Sequence, residues 1–209
     1  MADLNYNIRA VMFDLGGVLL RTEDPQHRID LAKKYGISRE ELEKLVFGSP
    51  VSLQAELGQK DPESVWRHAQ HVLRIAESDL EMFKDAFWAG DRLDEDLLSL
   101  VKSLRGRYRT VLLSNAWMDM RRNVARRFGA LDAFEMQIFS AEVGLRKPDP
   151  RIFQHVLNLL GADPEEIVFV DDFDENIQAA RRFGLRTIQF VSSQQVCRDL
   201  TTLLGLNAA

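Results

Sequence analysis

The chain has 209 residues, 45% of them apolar and 28% charged, with a formal net charge of -5. That is material for one sizeable core, or one core plus a small insert, and the acidic balance argues against non-specific binding to nucleic acid. The single cysteine, Cys197, rules out an internal disulfide and suits a reducing cytoplasm.

The N-terminal MADLNYNIRAVMF lacks a basic start followed by a long apolar stretch, so no secretory leader is expected. No run reaches the ~18 apolar residues of a membrane helix. The first apolar run, Ala10-Phe13, reads as a buried strand that delivers Asp14, and the glycine pair Gly16-Gly17 follows. Residues 21 to 91 then carry about four helical segments and no convincing strand. Leu42, Leu45 and Val46 share one helix face; Val65, Ala69, Val72, Leu73 and Ala76 share another. An all-helical insert near the C-terminal end of a strand is a candidate lid.

Past the insert, strand and helix alternate. Asp94-Leu104 carries an apolar stripe, and the Thr110-Leu113 strand delivers Ser114 and Asn115. The Gln137-Phe139 strand leads to the loop GLRKPDP, which contains Lys147. Asp149-Pro150 caps a helix that Gly161 stops. Ile167-Val170 delivers Asp171 and Asp172, Asp174-Phe183 forms a short helix ended by Gly184, and Arg186-Phe190 is the last strand. The strand runs are nearly continuous in apolar residues, as parallel strands covered on both faces are. The expected fold is therefore α/β, an open parallel sheet flanked by helices. Its core covers residues 1–20 plus 92–209, and a helical domain covers 21–91.

Ligands of such sheets bind outside the carboxyl ends of the strands. Asp14, Ser114, Asn115, Asp171, Asp172 and Lys147 all fall there. A carboxylate can attack phosphorus and form an aspartyl phosphate. Repulsion from the phosphate is relieved by Mg²⁺, which takes one or two carboxylates plus water and phosphate oxygens. Ser114 and nearby N–H groups suit the phosphate oxygens, and Lys147 offers a compact positive charge.

FDLGGVL (13–19), LLSNA (112–116), GLRKPDPRIF (144–153) and IVFVDDFDENIQAA (167–180) follow in order along the chain. Together they resemble the four motifs of the haloacid dehalogenase superfamily. The resemblance implies a Rossmann-like core with an inserted helical-bundle cap, and a phosphoric monoester phosphatase using Mg²⁺. The variant pattern is similar to the α-D-glucose-1-phosphate phosphatase branch, with the phosphatase domain of soluble epoxide hydrolase as a more distant relative. Carried over by motif, Asp14 would be nucleophile and metal ligand, and the backbone carbonyl of Gly16 a second ligand. Asp172 would be the ligand from the last motif, with Asp171 beside it as a metal residue. Ser114 and Asn115 would bind substrate phosphate, and Lys147 would stabilise Asp14 and the phosphoryl group.

Gly16 departs from the pattern, because most phosphatases of the superfamily carry an aspartate there as general acid and base. An anomeric sugar phosphate, with its more acidic leaving oxygen, would need that acid less. Glu23, Asp24 and His27 are alternative donors, with His27 the candidate substitute acid. The expected substrate is thus a small phosphorylated metabolite, a sugar phosphate first, in the cytoplasm, with no nucleic acid or membrane partner. The competing readings are a 2-haloacid dehalogenase and a catalytically weakened homologue acting as a binding protein. Arg21 is a candidate for a second phosphate or sugar hydroxyls, and Trp117 for the border of the site. His68 and His71 read as solvent-facing. Nothing in the sequence separates monomer from homodimer.

Overall fold

The computed structural model describes residues 7–206, the side chains of Arg127 and Phe128 excepted. Five parallel strands form the main sheet: β1 (Ala10–Phe13), β4 (Arg109–Ser114), β5 (Met136–Phe139), β6 (Ile167–Asp171) and β7 (Arg186–Gln189). Their order is β5-β4-β1-β6-β7, with β1 in the centre. Alternate residues of each central strand point to opposite faces. Val11, Phe13, Leu112, Val168 and Val170 enter one core, shared with α6 (Glu95–Leu104) and α11 (Ser193–Leu203). Ala10, Met12, Val111, Leu113, Ile167 and Phe169 enter the other, under α9 (Pro150–Leu160) and α10 (Asp174–Phe183). Both faces are covered, which is why the strands read as continuous apolar runs.

The helix ends match the sequence signals. Asp94 accepts from Leu97 N–H at 2.8 Å at the start of α6. Asp149 caps α9 ahead of Pro150, and Gly161 and Gly184 take the left-handed conformation past α9 and α10. Remaining core elements are α7 (Met120–Phe128), after β4, and the single turn α8 (Ser140–Val143), after β5.

Between β1 and the rest of the sheet stand α1 (Gln26–Lys34), α2 (Arg39–Phe47), α3 (Pro50–Glu56), α4 (Pro62–Leu73) and α5 (Leu80–Trp88). That is one helix more than the sequence suggested, because Ser49 and Asp61 each cap a new helix before a proline. The helices bury a core of their own that includes Leu42, Val46, Val65, Trp66, Ala69, Phe83 and Phe87. Val72 is half-exposed and Ala76 lies past the end of α4, so the expected stripe of that helix stops short.

A short ribbon joins this segment to the sheet. β2 (Leu20–Thr22) pairs antiparallel with β3 (Asp91–Leu93), two strands that the sequence pattern does not predict. Arg28 of α1 locks it: its Nη2 donates to both carboxylate oxygens of Asp91 at 2.9 and 3.0 Å, and its Nε to the Phe87 carbonyl at 3.0 Å. Among the described residues no helix is long and apolar enough to cross a membrane.

Candidate active site

The register of the sheet brings three strand ends to one level. Phe13 lies opposite both Leu112 and Val170. The residues that follow therefore emerge together at the carboxyl edge: Asp14 from β1, Ser114 from β4, Asp171 and Asp172 from β6. Asp14 is still tied to the sheet, its N–H donating to the Val170 carbonyl at 2.9 Å.

Lys147 reaches the same point from the loop between α8 and α9 and is 1% exposed. Its Nζ lies 2.9 Å from Asp14 Oδ1 and 2.7 Å from Asp171 Oδ2. Asn115 fixes the backbone of this lysine. The Lys147 N–H donates to Asn115 Oδ1 at 2.8 Å, and Asn115 Nδ2 donates to the Lys147 carbonyl at 2.9 Å. Both ends of the amide that sequence reasoning assigned to phosphate are thus bound to the lysine loop. Ser114 is buried at the end of β4, beside this clamp.

The two acids of the last motif differ. Asp171 is fully buried and accepts from Lys147 Nζ, from the Phe173 N–H at 2.8 Å and from Asn176 Nδ2 at 3.0 Å to each oxygen. Asn176 was not singled out in the sequence; its place in the first turn of α10, following the acid pair, was the available signal. Asp172 is only part-buried, yet its Oδ1 is a buried oxygen with no hydrogen-bond partner. Its carboxylate lies over Gly17, where a Cβ would stand 2.2 Å from Asp172 Oδ2. Gly17 also has φ +77, a conformation that costs any side chain. Gly17→Ala is expected to push Asp172 aside and destabilise the protein by about 1–3 kcal/mol. Urea unfolding would measure this, and a loss below about 0.5 kcal/mol would refute the close approach.

Oxygens of Asp14, Asp171 and Asp172 lie within 4.8 Å of one another. Three carboxylates thus face one ammonium. Burial first, and the neighbouring carboxylates of Asp171 and Asp172 next, push Asp14 up to about 8, against the pull of Lys147. Burial and Asp171 push Asp172 up to about 6. Burial opposes the charge on Lys147, but Asp14 and Asp171 more than offset it and hold the ammonium above its ordinary range. The lysine stays charged, and what the cluster lacks is a second positive charge. Hard oxygen donors with one partnerless oxygen suit a divalent cation such as Mg²⁺, so the residues present fit that ion.

Gly16 leaves open space, with no heavy atom within 4 Å of the place a Cβ would occupy. His27 is exposed on the first turn of α1, its Nε2 3.7 Å from Asp24 Oδ2. Arg21 is engaged elsewhere, donating to Asp94 Oδ2 at 2.7 Å, Glu23 Oε1 at 2.9 Å and the Val18 carbonyl at 2.5 Å. It is not left for a second phosphate. His68 and His71 join no metal-holding group among the described residues. Trp117 is buried against Trp66 at 5.6 Å between ring centroids, and its Nε1 donates to Ser52 Oγ of α3 at 3.1 Å.

Fold and cluster define an α/β enzyme core of Rossmann-like type with carboxylates gathered at its strand ends. The chain belongs to the haloacid dehalogenase-like hydrolases, whose family model matches residues 8–184. It is similar to bifunctional epoxide hydrolase 2 of Rattus norvegicus, 29% identical over 78% of this chain but only 29% of that one. It thus spans less than a third of the length of that relative. A phosphorylated carbohydrates phosphatase of Thermotoga maritima is 28% identical over 87% of this chain and 84% of its own. Among solved structures, a HAD family enzyme of Bacteroides thetaiotaomicron, in complex with magnesium and inorganic phosphate, superposes with a TM-score of 0.73. It is 28% identical, with 87% of this chain and 93% of that one covered.

Proposed function

We propose that this hydrolase is a Mg²⁺-dependent phosphatase that acts on a small phosphorylated metabolite through an aspartyl phosphate. The observation that carries the reading is the cluster itself, three carboxylates about one buried lysine with an oxygen of Asp172 left without a partner. The magnesium and phosphate held by the Bacteroides relative point the same way. We also assign residues 21–91 as a cap domain and 1–20 plus 92–209 as the catalytic core, on the strength of the apolar core that the helices bury, to which, among the described residues, only Trp117 is contributed from outside 21–91.

In this scheme the Asp14 carboxylate attacks phosphorus as the bond to the leaving oxygen breaks, and water then attacks the phospho-aspartate and frees Asp14. Ser114 donates to a phosphate oxygen. Lys147 holds Asp14 oriented and stabilises negative charge on the transferring group. Asp171 keeps Lys147 in place. Asp14, Asp172 and the Gly16 carbonyl would hold Mg²⁺, with Asp171 behind them, and the ion supplies the charge that keeps Asp14 ionised beside a phosphate. Asn115 acts through the lysine loop rather than on substrate.

Gly16 removes the usual proton donor, which favours a substrate whose leaving oxygen is already acidic. An anomeric sugar phosphate meets that condition, and the Thermotoga relative is described as acting on phosphorylated carbohydrates. A dehalogenase reading has no use for the partnerless oxygen of Asp172. Because space at Gly16 is open, Gly16→Asp is expected to fold and to speed hydrolysis of an alkyl phosphate by about 10²-fold, the low end of general acid–base help. An aryl phosphate should gain little. Equal effects on both substrates would show that proton donation is not what Gly16 removes.

The reading is tested by phosphate release from a panel of sugar phosphates and an aryl phosphate, with Mg²⁺ and with EDTA. Release that needs Mg²⁺ supports it, and a preference for anomeric phosphates supports the sugar assignment. Binding of Mg²⁺ and phosphate without any release would replace it with a binding protein.

A further inference from the structure

The loop that carries Lys147 is held from two sides. From the sheet, Asn115 clamps its main chain. From the helical segment, Glu56 at the end of α3 grips the preceding residue: Arg146 Nε donates to Glu56 Oε2 at 2.7 Å. Glu56 is a buried acid, 8% exposed, in the helical segment that the β2–β3 ribbon connects to the sheet. Burial raises its carboxyl, and Arg146 and Lys147 oppose that rise.

The pair sits in a close fit. A Cβ on Gly58, just past α3, would stand 2.4 Å from the Ala141 carbonyl of α8, so α3 seats directly on the turn from which the lysine loop starts. Ser52, on the same helix, is fully buried and accepts from Trp117 Nε1. Trp117 itself follows Ser114 and Asn115. One short helix thus touches the loop that follows Ser114 and the loop that bears Lys147. A buried carboxylate in such a seat is costly unless its partner is present.

We propose that Glu56 is a positioning residue: through Arg146 it adds a second hold on the lysine loop from the helical segment, beside the Asn115 clamp, so that Lys147 is held most firmly against Asp14 while α3 is seated on the core. The mechanical chain is Glu56 to Arg146, Arg146 to its neighbour Lys147, and Lys147 to Asp14 and Asp171. Lifting α3 to admit a substrate breaks the first link, and reseating it restores the lysine at the moment the site closes. Glu56 touches neither the carboxylate cluster nor phosphate in this scheme. The kinetic consequence rests on the phosphatase reading, whereas the placement of Lys147 does not.

The test therefore has two readouts on Glu56→Gln, Glu56→Ala, Arg146→Ala and the double alanine variant of the full chain. The first is the rate at which an amine-acylating reagent labels Lys147, followed by peptide mass spectrometry. In the parent protein Lys147 is buried and doubly paired, so labelling is slow. Glu56→Ala and Arg146→Ala are each expected to raise it on the order of tenfold or more, and the double variant no further. Glu56→Gln, which keeps an acceptor for Arg146, should fall between. The second readout is Mg²⁺-dependent phosphate release, where kcat is expected to fall about tenfold with KM nearly unchanged. Unchanged Lys147 labelling in folded Glu56→Ala and Glu56→Gln would overturn the proposal, whatever the kinetics. Additive effects of the two alanines would overturn it as well. Altered labelling in a protein that releases no phosphate with any substrate would sustain the clasp and sink the phosphatase reading.

Discussion

Asp14→Asn is expected to lower phosphate release by ~10⁴-fold or more while leaving the fold intact. The amide is nearly the shape of the carboxylate. Its oxygen can still accept from Leu15 N–H, which lies 2.7 Å from Asp14 Oδ1, and from Lys147 Nζ at 2.9 Å. What it loses is the anionic oxygen that must bond to phosphorus. Activity and stability should therefore part company. Asp14 is one of three acids that compete for one ammonium, and burial already disfavours its charge. Near pH 8 and above, where Asp14 is ionised, removing that charge relieves the cluster, so there the variant without metal should melt no lower than the parent, and higher if the acids repel as their raised titration implies. Steady-state phosphate release and a thermal melt in EDTA, run on the same preparation, check both halves. Turnover within about tenfold of the parent would show that Asp14 is not the nucleophile. A large drop in melting temperature would show that it holds the fold rather than the reaction.

The parts of this molecule that were legible in its sequence are those where local pattern and tertiary structure agree. The three central strands, β1, β4 and β6, are buried on both faces, so their runs are nearly continuous in apolar residues and stand out. Asp14, Ser114, Asp171 and Asp172 were legible because each ends such a run, and a parallel register then lines the ends up. The β2–β3 ribbon was not. Its strands are LRT and DRL, three residues each, with arginines in both, and they pair only because α1 to α5 bring them together. Arg28 was invisible for a related reason. Nothing in QHRIDLAKK marks one arginine as buried, and its place is set by Asp91, sixty-three positions away in the chain. Arg21 misled in the opposite sense: nearness to the first motif suggested a ligand, yet Asp94 takes it. Glu56 and Arg146 lie ninety positions apart on elements with no shared motif. Asn115 shows the limit most clearly. Its neighbourhood in LLSNA suggested a phosphate ligand, and only the hydrogen bonds show that its amide holds the lysine loop.

Charge accounting at the same cluster leads to the second large expectation, that Mg²⁺ stabilises the protein far more at pH 8 than at pH 5. Folding raises Asp172 from 3.8 to about 6 and Asp14 from 3.8 to about 8. Acids raised on folding bind protons more tightly in the native state than in the unfolded chain. The stability they contribute is complete below their unfolded values and is lost as pH rises through about 6 and then about 8. Without metal, this site should therefore pull the melting temperature down between pH 5 and pH 8. A divalent cation takes the place of those protons. At pH 5 it must displace them, and at pH 8 far less, so its affinity and its stabilising effect grow with pH. At a hundredfold excess over Kd the gain is about 2.7 kcal/mol, roughly 5–10 °C for a chain of this size. Scanning calorimetry with MgCl₂ or EDTA at the two pH values measures it directly. Asp172→Asn supplies the control: it removes the acid whose Oδ1 has no other partner, and should abolish most of the Mg²⁺ shift while leaving the Lys147–Asp171 pair in place. An equal Mg²⁺ shift at both pH values would separate the cation from these carboxylates. No shift at pH 8 would mean that Lys147 and bound protons alone neutralise the cluster, and the metal would then have to arrive with the phosphate it helps to hold.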